Sequence, residues 1–339
     1  MIIRSLMIAV AALASACTPP RASAQDMPFD SYLATLVAKA RADGVSEATI
    51  VRMTAGLTPN ARVIQLDRGQ PGSGSGSGGF PRLAPYIADH VDAARINGGR
   101  RVIEQNGTVL RRIEGEYGVP AEIIVSIFGH ETGYGNVKGT FDLAQALATL
   151  AWEGRRRELF ATEFVDLLKV ADKGYDRSVL KGSWAGAFGN PQFLPSVYLR
   201  LAVDGDGDGR ADIMNNRADT FASIANYFRD AGWRQGEPWG VRASVPGDFD
   251  PGLYPTRLVA PQCPRVHVRL SQFRTVREWR ALGVQPQGSI NDETQAALFR
   301  PDGPGTPSWL LTGNYRAILE YNCSNYYAMS VGLLADAID

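Results

Sequence analysis

The sequence predicts an α+β fold that is predominantly helical, and three observations carry that reading. Between residues 82 and 228, apolar residues recur three and four apart, in VIEQNGTVLRRIEGEYG, ALATLAW and FVDLLKVAD. After Trp239, proline and glycine become frequent and short β-like runs appear, such as RVHVRL at residues 265–270. The last stretch, NYYAMSVGLLADAI, then returns to helical spacing. The 339 residues are 45% hydrophobic, enough for a sizeable core. Lys+Arg 35 against Asp+Glu 35 gives zero formal charge, so no sequence-wide basic field exists to gather nucleic acid or anionic lipid.

Taken in order, residues 1–24 read as an export signal: Arg4 precedes an apolar run too short to span a bilayer. Two cleavage readings are open. The ASA at residues 22–24 suits ordinary signal peptidase and a soluble periplasmic product. Cys17 after Ala14-Ser15-Ala16 resembles a lipoprotein box, but an imperfect one, because Ala14 stands where a large aliphatic residue is usual; the first reading is preferred. Residues 25–70 form a helical segment, broken by DGVS at residues 43–46 and GLTPN at residues 56–60. PGSGSGSGG, residues 71–79, is a connector or surface loop, because it has too little side chain to order itself. The main helical core follows over residues 80–238, a small irregular or β subdomain over 239–310, and a C-terminal helix over 311–339. After export, Cys263 and Cys323 are expected to pair in an oxidising compartment; two separately buried thiols are the alternative.

SIFGHETGYG, residues 126–135, poses the central question, because a single carboxylate sits behind apolar residues and before two glycines. Pro120 opens this helix and the glycines end it. Glu131 lies four after Ile127 and three after Phe128, so it shares their buried face. Desolvation and the negative helix terminus both disfavour its charge. An acid kept protonated near neutrality is what glycosidic cleavage needs. A structural Glu bound by Arg155 or Arg156 is the competing reading. His130 diverges from its neighbour by about 100 degrees on a helix and reads as packing or surface. With only His90, His130 and His267, and no H-E-x-x-H spacing, a zinc hydrolase has no support.

KGSWAGAFGNPQFLPSVY, residues 181–198, offers small residues for close backbone approach, Ser183, Asn190 and Gln192 for hydrogen bonds, and Trp184, Phe188 and Phe193 as faces for sugar rings. A tight helix-packing loop explains the same composition. DGDGDGRADIMNNRAD, residues 204–219, places Asp204, Asp206 and Asp208 at positions one, three and five of an EF-hand loop, with Gly209 at six and the Arg210 carbonyl at seven. Position twelve is Asn215 rather than Glu, which favours a metal-free turn; the mutual repulsion of three close carboxylates favours a structural Ca2+.

SIFGHETGYG, ALATLAW, GSWAGAFGNPQFLPSVY, IANYF and ILEYNCSNYYAMSVGLLAD, in this order, resemble the lytic murein transglycosylase B family over residues 82–336. The resemblance implies a lysozyme-like core with an attached α domain and a small β domain, acting on peptidoglycan glycan strands in the periplasm. It puts the catalytic acid/base on Glu131 and substrate contacts on Ser183, Gln192, Phe193, Tyr86, Tyr227, Tyr321 and Asn322. It also closes the calcium loop with Asp219. One departure is visible near Leu159, where the family can carry a groove tyrosine and this chain has GRRRELF. The expected activity is non-hydrolytic cleavage of the MurNAc–GlcNAc bond with Glu131 as sole acid/base and no organic cofactor. A hydrolytic muramidase would need a second carboxylate, for which Asp142 and Glu153 are candidates. A calcium-stabilised, non-catalytic peptidoglycan-binding module is the reading from another class.

Overall fold

The computed structural model describes residues 27–70, 81–256 and 263–339. The expected export signal, Cys17 and the Gly/Ser run lie outside the described residues. Three helices come first among the described residues: α1 (Phe29–Ala42), α2 (Glu47–Thr54) and α3 (Ala61–Arg68). Ser46 and Asn60 cap the second and third with side-chain oxygens, so the breaks at DGVS and GLTPN are also helix starts. Next come α4 (Leu83–His90), α5 (Ala93–Tyr117) and α6 (Ala121–Thr132). Asp92 caps α5, and Gly118 and Gly133 end α5 and α6 in the left-handed region. β1 (Phe141–Asp142), α7 (Leu143–Glu153), α8 (Arg157–Asp172), β2 (Lys181–Gly182), α9 (Pro195–Leu201) and α10 (Arg217–Asp230) complete the helical body.

The following segment holds β3 (Gly240–Ser244), α11 (Pro264–His267), β4 (Arg274–Thr275), α12 (Val276–Ala281), β5 (Gln285–Pro286), β6 (Gln295–Phe299) and β7 (Ser308–Leu311). Its antiparallel sheet runs β4-β6-β7-β3-β5. RVHVRL, expected as β-like, is instead a helical turn. Its buried residues are His267 and Leu270, each 3% exposed and three apart, whereas Val268 is 66% exposed, so the run has helical rather than alternating burial. Pro264 in the first turn starts that helix without a missing hydrogen bond. The C-terminal region forms two helices, α13 (Gly313–Tyr321) and α14 (Asn325–Ile338), the second capped by Ser324.

Two large cores organise these elements. One joins α5, α6, α10, α13 and α14, with Ile124, Ile127, Phe128, Phe221, Tyr315, Met329 and Leu334 at its centre. The other joins α1–α3 to α7–α9 through Leu36, Met53, Leu147, Phe164 and Leu168. Residues 29–63 therefore share their core with residues 143–213 rather than packing by themselves. A small third core, around Trp279 and Leu298, lies against the sheet. Tyr321 touches both large cores and so marks their junction. The sulfurs of Cys263 and Cys323 are bonded, with Cα atoms 5.3 Å apart, tying the start of α11 to the end of α13. Among the described residues, no helix is long and apolar enough to cross a membrane.

Candidate active site

Glu131 occupies the last turn of α6, on the face that Ile127 and Phe128 bury. Its Oε1 accepts a hydrogen bond from the Tyr327 hydroxyl at 2.6 Å. Desolvation pushes its pKa up to about 7, against the opposing pull of the Tyr327 hydrogen bond. Arg155 and Arg156 do not serve it; both bind Asp67. The structural reading of Glu131 as an arginine partner is thereby removed.

Local geometry explains the flanking glycines. Tyr134 adopts φ +63° and turns its ring back onto α5 and α6, with its hydroxyl donating to the Arg95 carbonyl at 2.6 Å. A Cβ on Gly129 would lie 2.7 Å from that ring, and one on Gly98 2.5 Å. Gly129 therefore gives Tyr134 its seat, and Tyr134 locks the end of the helix that presents Glu131.

Three tyrosines surround the acid. The negative charge of Glu131 contributes to the raised pKa of Tyr86, Tyr321 and Tyr327, each driven upward first by burial. Tyr321 lies 4.6 Å from Tyr227, centroid to centroid, and donates through its hydroxyl to the Pro191 carbonyl at 2.6 Å. Tyr227 donates to the Glu320 carbonyl at 2.8 Å. Tyr86 stacks on His90 at 3.8 Å. Thus α4, α10, α13 and α14 each bring one tyrosine toward the C-terminal end of α6 or to its immediate neighbours.

Sequence reasoning missed Tyr327. It lies 196 residues from Glu131, and no local spacing links the two. His130 is an interior residue: Nδ1 pairs with the Ser126 carbonyl at 2.9 Å, and burial pushes its pKa down to about 4. It is therefore a neutral packing group whose ring lies 5.6 Å from that of Tyr327.

The loop after β2 is partly as expected. Ser183 Oγ accepts from the Ala187 amide at 3.0 Å, which leaves its proton free to donate. Gln192 stands at φ +50° with its side-chain amide donating to the Gly189 carbonyl at 2.8 Å. The expectation that Phe188 and Phe193 offer faces to sugar rings is corrected: they are 0% and 2% exposed. Phe193 instead backs Tyr227 and Tyr321, at 5.9 and 6.1 Å, so it sets their positions from behind. Asn190 is likewise buried and donates to Thr220. The glycines of this loop meet protein: a Cβ on Gly182 would strike the Ala187 carbonyl oxygen at 2.2 Å, and one on Gly189 would meet Ile213 at 2.7 Å. Asn322 is exposed beside Tyr321 as the C-cap of α13.

The two carboxylates considered as a second acid are committed elsewhere. Asp142 caps α7 and pairs with Arg177 at 2.8 Å. Glu153 pairs with Arg68 at 3.0 Å.

In the acidic loop, carboxylate oxygens of Asp204, Asp206 and Asp219 lie within 4.8 Å of one another. Asp219 is fully buried, and desolvation, with smaller contributions from Asp206 and Asp204, raises its pKa against backbone hydrogen bonds from Gly205 and Asp212. A convergent all-oxygen set whose buried member, Asp219, is costly to leave charged alone fits a hard cation. Asp208 lies outside this group, its carboxylate accepting from the Arg210 amide at 2.8 Å. The Arg210 carbonyl accepts from the Asp212 amide at 3.2 Å. The expected five-ligand set thus narrows to three converging carboxylates.

Fold and site together define a class: a lysozyme-like, predominantly helical protein with one carboxylic acid at a tyrosine-lined junction of two cores. The family description "Transglycosylase SLT domain" matches residues 28–336, and the chain belongs to that family. It is 37% identical over 245 residues to membrane-bound lytic murein transglycosylase B of Escherichia coli K12, covering 69% of this chain and 63% of that relative's length. Among solved structures it resembles SltB3 of Pseudomonas aeruginosa in complex with NAG-anhNAM-pentapeptide, at 34% identity and TM-score 0.82, covering 92% of this chain and 80% of that one. It also resembles the Escherichia coli lytic transglycosylase Slt35 in complex with calcium, at 28% identity and TM-score 0.74, covering 91% of this chain and 92% of that one.

Proposed function

We propose that this protein is a peptidoglycan lytic transglycosylase acting in the periplasm, with Glu131 as its sole acid/base. The observation that carries the reading is the carboxyl group itself: buried beside Tyr327, with its pKa lifted to about 7. Such a group keeps a large protonated fraction at neutral pH and can still release its proton. Glu131 donates to the glycosidic oxygen as the C1–O4 bond breaks, while the substrate's N-acetyl oxygen shares its electron pair with C1. The resulting carboxylate removes the proton from the C6 hydroxyl, whose oxygen attacks C1 and displaces the acetamido oxygen. Glu131 is protonated again, and no water is consumed. Proximity favours the C6 hydroxyl over water.

Tyr86, Tyr227 and Tyr321, with Ser183, Gln192 and Asn322, would hold the glycan, and Phe193 would support the tyrosines from behind. Ca2+ at Asp204, Asp206 and Asp219 would be structural, pinning the start of α10 and hence Tyr227 on the same helix. Supporting the wider assignment are family membership and the peptidoglycan fragment in the related SltB3 structure.

The deciding experiment is mass spectrometry of sacculi digested by purified protein. Wild type should release products ending in 1,6-anhydro-MurNAc, and Glu131→Gln should release none while still binding glycan. Reducing-end MurNAc as the main product would establish hydrolysis instead. Full activity of the Gln variant would remove Glu131 from the chemistry, and binding by wild-type protein without turnover would make it a non-catalytic module.

A further inference from the structure

Asn190, which the sequence offers as a contact for sugar, is 5% exposed in the turn at residues 189–192, and three distant segments meet on it. Its amide N–H donates to the Ile213 carbonyl at 2.8 Å, in the acidic loop. Its side-chain Nδ2 donates to Thr220 Oγ1 at 3.1 Å, one residue after the buried Asp219. Its carbonyl oxygen lies 3.4 Å from the hydroxyl of Thr132, the last residue of α6 and the neighbour of Glu131. That hydroxyl also accepts from the Gly135 amide at 3.1 Å, which closes the backbone behind the acid. The same turn supports the cleft: the Pro191 carbonyl accepts from the Tyr321 hydroxyl at 2.6 Å, and Gln192 follows at φ +50°.

Its neighbours fix which way the Asn190 amide faces. Thr220 gives its proton to the Asn216 carbonyl at 2.8 Å, so toward Asn190 it accepts, and Nδ2 must face it. Oδ1 is then left buried without a hydrogen-bond partner, on the side of Gly135. A buried unpaired oxygen is costly, and a leucine of similar shape would avoid that cost. What the amide adds is a fixed link from the turn to α10. We infer that Asn190 is a positioning residue for glycan cleavage: it holds the turn that carries Gln192 and backs Tyr321 in register with the end of α6 that carries Glu131. The inference rests on the proposed function. Without the Nδ2 bond the groups that would hold glycan remain, but α10 no longer sets where the turn stands against the acid. A displacement of about 1 Å between bound sugar and acid is enough to cost up to about a hundredfold in rate.

Kinetics on soluble glycan strands, thermal melting and amide hydrogen exchange of the full protein test this in Asn190→Leu, Thr220→Val and Thr220→Ser. The first two remove the same bond, and each should lower kcat about tenfold or more while KM stays close to wild type. Asn190→Leu should melt no lower than wild type, because it also removes the unpaired oxygen. Combining Asn190→Leu with Thr220→Val should cost no more than either alone. Thr220→Ser keeps the hydroxyl and should keep kcat. Exchange at the Gly135 and Gln192 amides should quicken roughly tenfold in Thr220→Val, with the amides of α1 unchanged. Unchanged kcat beside a lowered melting temperature would make the bond merely structural and overturn the inference. Additive losses in the double variant, or unaltered exchange at both amides, would overturn it too. Should Asn190→Leu fail to fold, the two Thr220 variants still decide. Wild type that releases no 1,6-anhydro-MurNAc refutes the proposed function, whereas the exchange result still reads whether Asn190 fixes the turn.

Discussion

Glu131 and Tyr327 form a couple whose two halves can be tested separately. The raised acidity constant means that the folded protein holds this proton more tightly than the unfolded chain. Stability attached to the group is therefore complete below the unfolded value and is lost as pH rises toward about 7. Charging the buried carboxyl costs on the order of 3 kcal/mol. Glu131→Gln should consequently raise the melting temperature above that of wild type at pH 8, with the advantage fading by pH 4; equal melting curves at pH 8 would contradict the elevated pKa. Activity, which needs the protonated form, should fall as pH passes about 7. Tyr327→Phe removes the one interaction that opposes this elevation, so its alkaline limb should move to higher pH, as a pH–rate profile would reveal. The acid was legible in the sequence, because three- and four-residue spacing to Phe128 and Ile127 fixes its face. Its partner was not, because spacing says nothing about residues that meet through tertiary packing.

At the scale of the element, loops decide what helices present. β1 and β2 meet so closely that a Cβ on Gly139 would lie 2.0 Å from the Gly182 carbonyl carbon. Gly139→Ala should therefore destabilise the protein by roughly 1–3 kcal/mol, the range expected of a forced backbone shift, and urea denaturation would measure it. Calcium should raise the melting temperature through the loop before α10, and Asp219→Asn should abolish the increment. No change on adding calcium to metal-free wild type would dispose of the ion. Helices with strong periodicity, α5 through α8 and α14, were readable from sequence. RVHVRL was not, because six residues with two valines satisfy both periods and only the tertiary setting buries His267 while exposing Val268. Phe193 failed for a related reason: an aromatic in a glycine-rich loop can face a ligand or support the residues that do, and composition does not distinguish them.

Across the whole molecule, the disulfide closes a loop of sequence separation 60 and holds α11 to the end of α13, next to Tyr321 and Asn322. Replacing both cysteines by alanine should lower stability by about 4 kcal/mol on chain-entropy grounds. A chemical denaturation curve that superimposes on wild type would mean the bond adds nothing. The interleaving of the two cores, one built from α5, α6, α10, α13 and α14, was hidden from sequence because it depends on which distant helices meet. It also sets an order of completion during synthesis. The ribosome makes the acid 196 residues before the tyrosine that holds it, a gap of roughly 10 to 40 s at ordinary elongation rates. A chain truncated before α14 should therefore leave sacculi intact, because it would reach the wall with its acid in place and the tyrosine that holds it missing.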